Sequence, residues 1–183
     1  MLEKKVQKLL WLDMEMTGLD PATNVIIEVA ALVTDLSFNI LDTYETVVRQ
    51  PQHYLDQMDK WNTEHHTKSG LVRKVPYGRD PKEVESDLIQ LSKKHFPITG
   101  KKEDKPILAG NSIMQDRTFI DLYMPQFGQL LHYRQLDVSS WKIMFNNKYN
   151  VKYEKKNNHR ALDDIKESIN ELKMYLGYIN LSC

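Results

Sequence analysis

The sequence predicts an α/β domain built on a mixed five-stranded sheet flanked by helices. Three observations carry this. Three apolar, β-branched segments follow one another over residues 8–49 with short connections, the pattern of an antiparallel meander. Beyond residue 80 the apolar spacing changes to that of a helix face. Two further short apolar segments, 106–110 and 133–138, alternate with those helices.

Taken in order, residues 8–16 (KLLWLDMEM) read as a buried strand, and Gly18-Leu19-Asp20-Pro21 as the turn that follows. Residues 25–35 (VIIEVAALVTD) and 40–49 (ILDTYETVVR) read as the second and third strands. Residues 53–70 are polar with scattered apolar anchors, which suits short helices. Val84, Leu88 and Leu91 share one face of a helix over Pro81–His95, with Asp80 as its N-cap and Pro81 as its first residue. A charged loop at 99–105 precedes the fourth strand, Pro106 to Gly110. A helix over 113–124 stops at Pro125. A fifth strand runs from Tyr133 to Val138, followed by a helix from about Ser139 to Phe145. The Lys/Asn-rich stretch 146–158 reads as a solvated loop, and the last helix runs from about His159 to Leu176. No stretch resembles a linker, so residues 1–183 are expected to form one domain with its core at about 8–176.

Composition excludes several classes. With 25 Lys plus Arg against 25 Asp plus Glu, the formal net charge is zero, so binding to nucleic acid by bulk charge alone is excluded. The only cysteine, Cys183, allows neither an intrachain disulfide nor a Cys-rich zinc site. The apolar run Leu9 to Leu12 ends at Asp13, short of a signal-peptide core, and no segment approaches the ~18 apolar residues of a membrane span. A cytoplasmic protein without membrane association is expected. No G-x-x-x-x-G-K-[ST] phosphate loop and no G-x-S-x-G elbow is present.

Three acidic groups carry possible chemistry. Asp13 and Glu15 lie two apart in an apolar strand, so their side chains share a face. Close, half-buried carboxylates repel, and a divalent cation is the simplest compensation; a solvent-facing acidic pair is the competing reading. Asp116 follows Gly110-Asn111-Ser112 where a strand gives way to a helix, a place where ligands collect in α/β sheets; a helix N-terminal charge is the alternative. The third group is His159-Arg160-Ala161-Leu162-Asp163-Asp164 at the head of the last helix. If Asp13, Glu15, Asp116 and Asp164 converge, two divalent cations would balance them, and a histidine near neutral pH could accept a proton from water. Such a constellation predicts metal-dependent phosphodiester hydrolysis.

The Asp-x-Glu strand, the downstream Asp and the His-x-Ala-x-x-Asp pattern resemble the DEDDh 3′→5′ exonucleases of the ribonuclease H-like fold. WLDMEMTGLDP, MDKWNTEHHTKSGL, GNSIMQDRTF, HYRQLDVSS and HRALDDIKESINEL are similar, in order, to the blocks of the oligoribonuclease family, over roughly residues 8–176. The resemblance implies that Asp13, Glu15, Asp116 and Asp164 hold two Mg²⁺ or Mn²⁺ ions and that His159 is the general base. It implies that Leu19 wedges against the bases, Trp61 stacks on one, and His66 lies close to the substrate. Ser112, Tyr133, Arg134, Ser139 and Ser140 would cap a 5′ phosphate, with Tyr133 and Arg134 reaching across a homodimer. Ser140 replaces a frequent Thr and keeps the hydroxyl. The implied substrates are RNA dinucleotides and oligonucleotides of a few residues. Longer RNA or single-stranded DNA is the alternative substrate, and a silent oligonucleotide-binding module the alternative class. Trp61 as a core aromatic, and Lys152, Lys155, Lys156 and Arg160 as a solvated face, are the structural readings of those residues.

Overall fold

The computed structural model describes residues 7–97, 99–154 and 160–179. Its sheet is built from β1 (Lys8–Met16), β2 (Ile26–Asp35), β3 (Ile40–Val47), β4 (Leu108–Gly110) and β5 (Gln135–Asp137), in the order β3-β2-β1-β4-β5. β1 pairs antiparallel with β2, and β2 with β3; β4 runs parallel to β1, and β5 to β4. β1 therefore occupies the centre. β2 is buried on both faces, as its mostly apolar run, interrupted by Glu28, suits.

Strand alternation sorts β1 between two cores. Leu10, Leu12, Met14 and Met16 face a layer containing α4 (Pro81–His95), α5 (Met114–Tyr123) and α6 (Pro125–Leu130). Leu9 and Trp11 face the opposite layer, with α7 (Val138–Tyr149) and α8 (Ala161–Gly177). Asp13 and Glu15 continue the second face beyond Trp11, beside α8. Glu28, directly opposite Glu15 in the β1–β2 register, continues the same face of β2. The α1 (Gln52–Asp56), α2 (Lys60–Lys68) and α3 (Leu71–Lys74) helices and a 3₁₀ turn at Val75–Tyr77 fill residues 52–77, where Leu55, Leu71 and Val75 pack on Val25 and Ile27.

Asp80 does cap α4, its carboxylate accepting from the Lys82 amide at 3.0 Å. Several boundaries differ from the sequence reading. Pro125 ends α5 but also opens α6, because Glu85 Oε1 accepts from the Gln126 and Phe127 amides at 2.7 and 3.1 Å. The fifth strand begins at Gln135, leaving Tyr133 and Arg134 exposed ahead of it. α7 continues to Tyr149, and Asn150 ends it in the left-handed region at φ 54°. Residues 146–149 are therefore helical rather than part of a loop. Among the described residues no helix is long and apolar enough to cross a membrane.

Candidate active site

Asp13, Glu15 and Asp164 offer carboxylate oxygens that all lie within 4.8 Å of one another. β1 presents the first two side by side, and the first turn of α8 lays Asp164 against them. Burial, followed by the charges of Asp164, Glu28 and Asp116, pushes Glu15 up to about 8; Arg160 offsets this in part. Asp116 lies deeper, buried to 5% exposure on α5, whose Phe119 and Ile120 pack in the other layer. Burial pushes it up to about 7, against hydrogen bonds from the Asp116 and Met14 backbone. Asp116 stands outside the closest group of three yet near enough for its charge to act on Glu15. This all-oxygen, mutually repelling donor set fits a hard divalent cation such as Mg²⁺ or Mn²⁺.

His159 lies outside the described residues. Its neighbour Arg160 is not part of a solvated face: its guanidinium forks onto Glu28, with Nη2 at 2.6 Å from Oε1. The sequence reading of Arg160 is corrected accordingly. Lys155 and Lys156 lie outside the described residues.

Leu19 and Trp61 are both exposed apolar side chains, at 72% and 55% exposure. Trp61 is therefore not a core aromatic. Its ring stacks on His65 at 3.9 Å, and His65 Nδ1–H donates to the Trp61 carbonyl at 2.7 Å. The turn carrying Leu19 is fixed from α5: Gln115 Nε2 donates to the Leu19 carbonyl at 2.6 Å, and the Tyr123 hydroxyl reaches the Pro21 and Asn24 carbonyls at 2.8 Å. A Cβ at Gly18 would meet the Asn24 side chain, with Oδ1 at 2.6 Å, so a larger residue there would have to displace Asn24.

His66, expected close to the substrate, is buried beside Glu15 of this cleft. It is 1% exposed, its Nε2–H donates to the Met16 carbonyl at 3.0 Å, and its Nδ1 lies 4.0 Å from Glu15 Oε2.

Ser112 and Ser139 do come together. The Ser112 amide donates to Ser139 Oγ at 2.8 Å and to Asp137 Oδ1 at 3.0 Å, and the two hydroxyls are 3.1 Å apart. These contacts hold Ser112 at φ 51°, a strained conformation for a non-glycine residue. Ser140 is exposed on the next position of α7, and the Arg134 guanidinium lies 5.5 Å from the Tyr133 ring centre.

The roles of Asn111, Asp137 and Glu28 escaped the sequence reading, and that of Arg160 was misread. Asn111 Nδ2 bridges to Ser168 Oγ (2.8 Å) and Glu171 Oε2 (3.0 Å), tying the end of β4 to α8. Asp137 organises Ser112 and Ser139. Its position just before a helix that opens Val138-Ser139 was a legible N-cap signal. Glu28 and Arg160 form the buried fork. A lone acid in the apolar run of β2 was the signal for Glu28.

The RNase T exonuclease family matches residues 10–172. An oligoribonuclease of Photorhabdus laumondii is 41% identical over 179 residues, covering 95% of this chain and 96% of that protein. A Legionella pneumophila oligoribonuclease is 44% identical over 187 residues, covering 97% and 96%. The human mitochondrial oligoribonuclease is 42% identical over 184 residues, covering 97% and 75%. Among solved structures, Escherichia coli Exonuclease I bound to an oligonucleotide superposes with a TM-score of 0.66 at 13% identity, over 92% of this chain and 41% of that one. The zinc-bound form of its single-stranded DNA complex gives 0.69 at 15%, over 92% and 40%. The chain thus spans about two-fifths of the Exonuclease I chains, and that likeness shows the ribonuclease H-like exonuclease fold. From the full-length relatives and the matched exonuclease region, the chain belongs to the oligoribonuclease family of RNase T-type exonucleases.

Proposed function

We propose that the cleft of Asp13, Glu15, Asp116 and Asp164 removes 3′-terminal nucleotides from very short RNA, above all 5′-phosphorylated dinucleotides, as nucleoside 5′-monophosphates. Family membership gives the reaction class: 3′→5′ exoribonucleolytic hydrolysis of phosphodiester bonds in short oligonucleotides. The observation that carries the assignment to this cleft is the convergence of three carboxylates within 4.8 Å, from segments 150 residues apart.

Asp13, Glu15 and Asp164, with Asp116 behind them, would hold two divalent cations, Mg²⁺ or Mn²⁺. When bound, such cations stabilise the charge that develops on the phosphoryl and leaving oxygens. His159 accepts a proton from the attacking water; the new bond forms between the water oxygen and phosphorus. The bond from phosphorus to the 3′ oxygen of the preceding nucleotide breaks, and that oxygen is protonated from solvent. Trp61 offers its exposed ring to a base and Leu19 presses against the stack. The Ser112 and Ser139 hydroxyls, with Ser140, Tyr133 and Arg134, receive the 5′ phosphate, for which a guanidinium fork is suited. His66 lies close to the substrate, beside Glu15.

A homodimer in the cytoplasm completes this reading. Tyr133 and Arg134 are exposed, and beside Ser140 lies an apolar groove of about 720 Å³ lined by Trp141, Met144, Tyr149 and Tyr178. A second copy seated there would stand next to the phosphate-binding serines.

The test is Mg²⁺-dependent release of nucleoside monophosphate from a 5′-phosphorylated RNA dinucleotide by wild type and Asp164→Ala. The variant is expected to lose activity by about 10²-fold or more, the scale of losing one electrostatic stabiliser, with circular dichroism unchanged. Near-wild-type turnover would overturn the site.

A further inference from the structure

Glu28 is the one charged residue between Val25 and Val33, and its side chain is wholly buried. Its two oxygens accept from Arg160 Nε (2.9 and 3.1 Å), Arg160 Nη2 (2.6 Å) and the Ala161 amide (3.2 Å). Arg160 Nη2 also meets Glu45 Oε1 on β3 at 3.2 Å. The same carboxylate therefore caps the first amide of α8 and clamps the residue just before it. A buried ion pair is a weak source of stability, because well-packed apolar replacements are often as good or better. What this one supplies is position. Arg160 directly follows His159 in the chain, and its carbonyl accepts from the Asp164 amide at 3.0 Å. The fork also holds the guanidinium on Glu28, next to Glu15 in the strand register, where its charge partly offsets the crowding of carboxylates on Glu15.

We propose that Glu28 and Arg160 act as one positioning unit for the side of the cleft that carries His159 and Asp164, without touching substrate. The inference rests on the cleft reading above. His159, the proposed proton acceptor, directly precedes Arg160 in the chain, and Arg160 and Ala161 are pinned to Glu28 of the sheet. A placement error of about 1 Å in such a group costs on the order of 10²-fold in rate.

The experiment compares kcat and KM for a 5′-phosphorylated RNA dinucleotide at saturating Mg²⁺ in wild type, Glu28→Gln, Arg160→Lys, the double variant and Glu45→Gln. Melting temperatures are measured on the same samples. Arg160→Lys keeps the charge at a partly exposed position and loses only the fork, so it carries the test should Glu28→Gln fail to fold. Each of the two single variants is expected to lose about tenfold or more in kcat, with KM changed by no more than about twofold, since the contact lies outside the substrate. The double variant is expected to lose no more than the worse single, because the two act as a unit. Glu45→Gln stays near wild type. Wild-type kcat in Arg160→Lys would overturn the inference while leaving the cleft reading intact. Losses that multiply in the double variant and vanish on assaying well below the melting temperature would reduce the pair to a structural one. An inactive wild type, with Mn²⁺ also tried, would overturn the cleft reading and this inference with it.

Discussion

Glu15 shows at the scale of one residue what the cleft costs the fold. Desolvation and three neighbouring carboxylates oppose its ionisation, and Arg160 offsets them only in part, so the metal-free protein carries repulsion at its sheet centre. Asp13→Asn or Asp164→Asn is expected to raise the melting temperature of the metal-free protein while reducing turnover by about 10²-fold or more. A fall in melting temperature would contradict the picture of repulsive crowding. Trp61→Ala is expected to weaken dinucleotide binding by about 1–3 kcal/mol, seen as a raised KM, with little change in stability because the ring is exposed. Unchanged KM would remove the stacking role. Asp13 and Glu15 were legible because their chemistry is odd where they stand, as acids in an apolar strand, whereas Trp61 was legible only through the family resemblance. The burial of His66 was not legible. Its neighbour His65 has the same side chain, and only the packing of α2 on β1 decides which of the two is buried.

At the scale of elements, the strands and α4 follow from patterning and local caps, and the sequence reading places them within a residue or two. The misreading at α6 has a cause: the decisive partner is distant in sequence. α6 exists because Glu85, 41 residues before it, accepts its first amides. Glu85→Ala is expected to destabilise the protein by about 1–2 kcal/mol, as the loss of a cap does, with no effect on KM; an unchanged denaturation midpoint would contradict it. The packing of β3 on α4 carries a pH dependence. The hydrogen bonds from Lys94 and then His95, both at 2.7 Å, hold Asp42 down at about 2. Because the folded value lies below the unfolded one, near 3.9, the contribution is fully present above that range. It is lost as pH falls from about 4 towards 2. Asp42→Asn should therefore lower the melting temperature at pH 7 and flatten its decline between pH 4 and 2. An identical acid profile in the variant would refute the assignment.

On the scale of the whole molecule, one sheet gathers groups that the chain keeps far apart. β1 supplies two carboxylates, α8 lays a third beside them, and α5 brings the fourth from the opposite layer. The order of the acidic motifs announced this convergence, whereas the fork of Glu28 on Arg160 emerges only when the end of β2 and the head of α8 meet. The outer face of α7 bears the exposed side chains Ile143, Met144 and Tyr149, and Met144→Asp is expected to convert a dimer to a monomer in light scattering. A wild-type protein that is already monomeric would exclude the shared phosphate cap. The central claim is that this cleft degrades RNA of the shortest lengths. Its most direct test is incubation of 5′-phosphorylated RNA of two, four and seven nucleotides, each with Mg²⁺ or with EDTA. The account predicts EDTA-sensitive conversion of the dinucleotide to monophosphates, faster than either longer strand is shortened. Equal or faster cleavage of the seven-nucleotide strand would contradict the capped, dinucleotide-sized site.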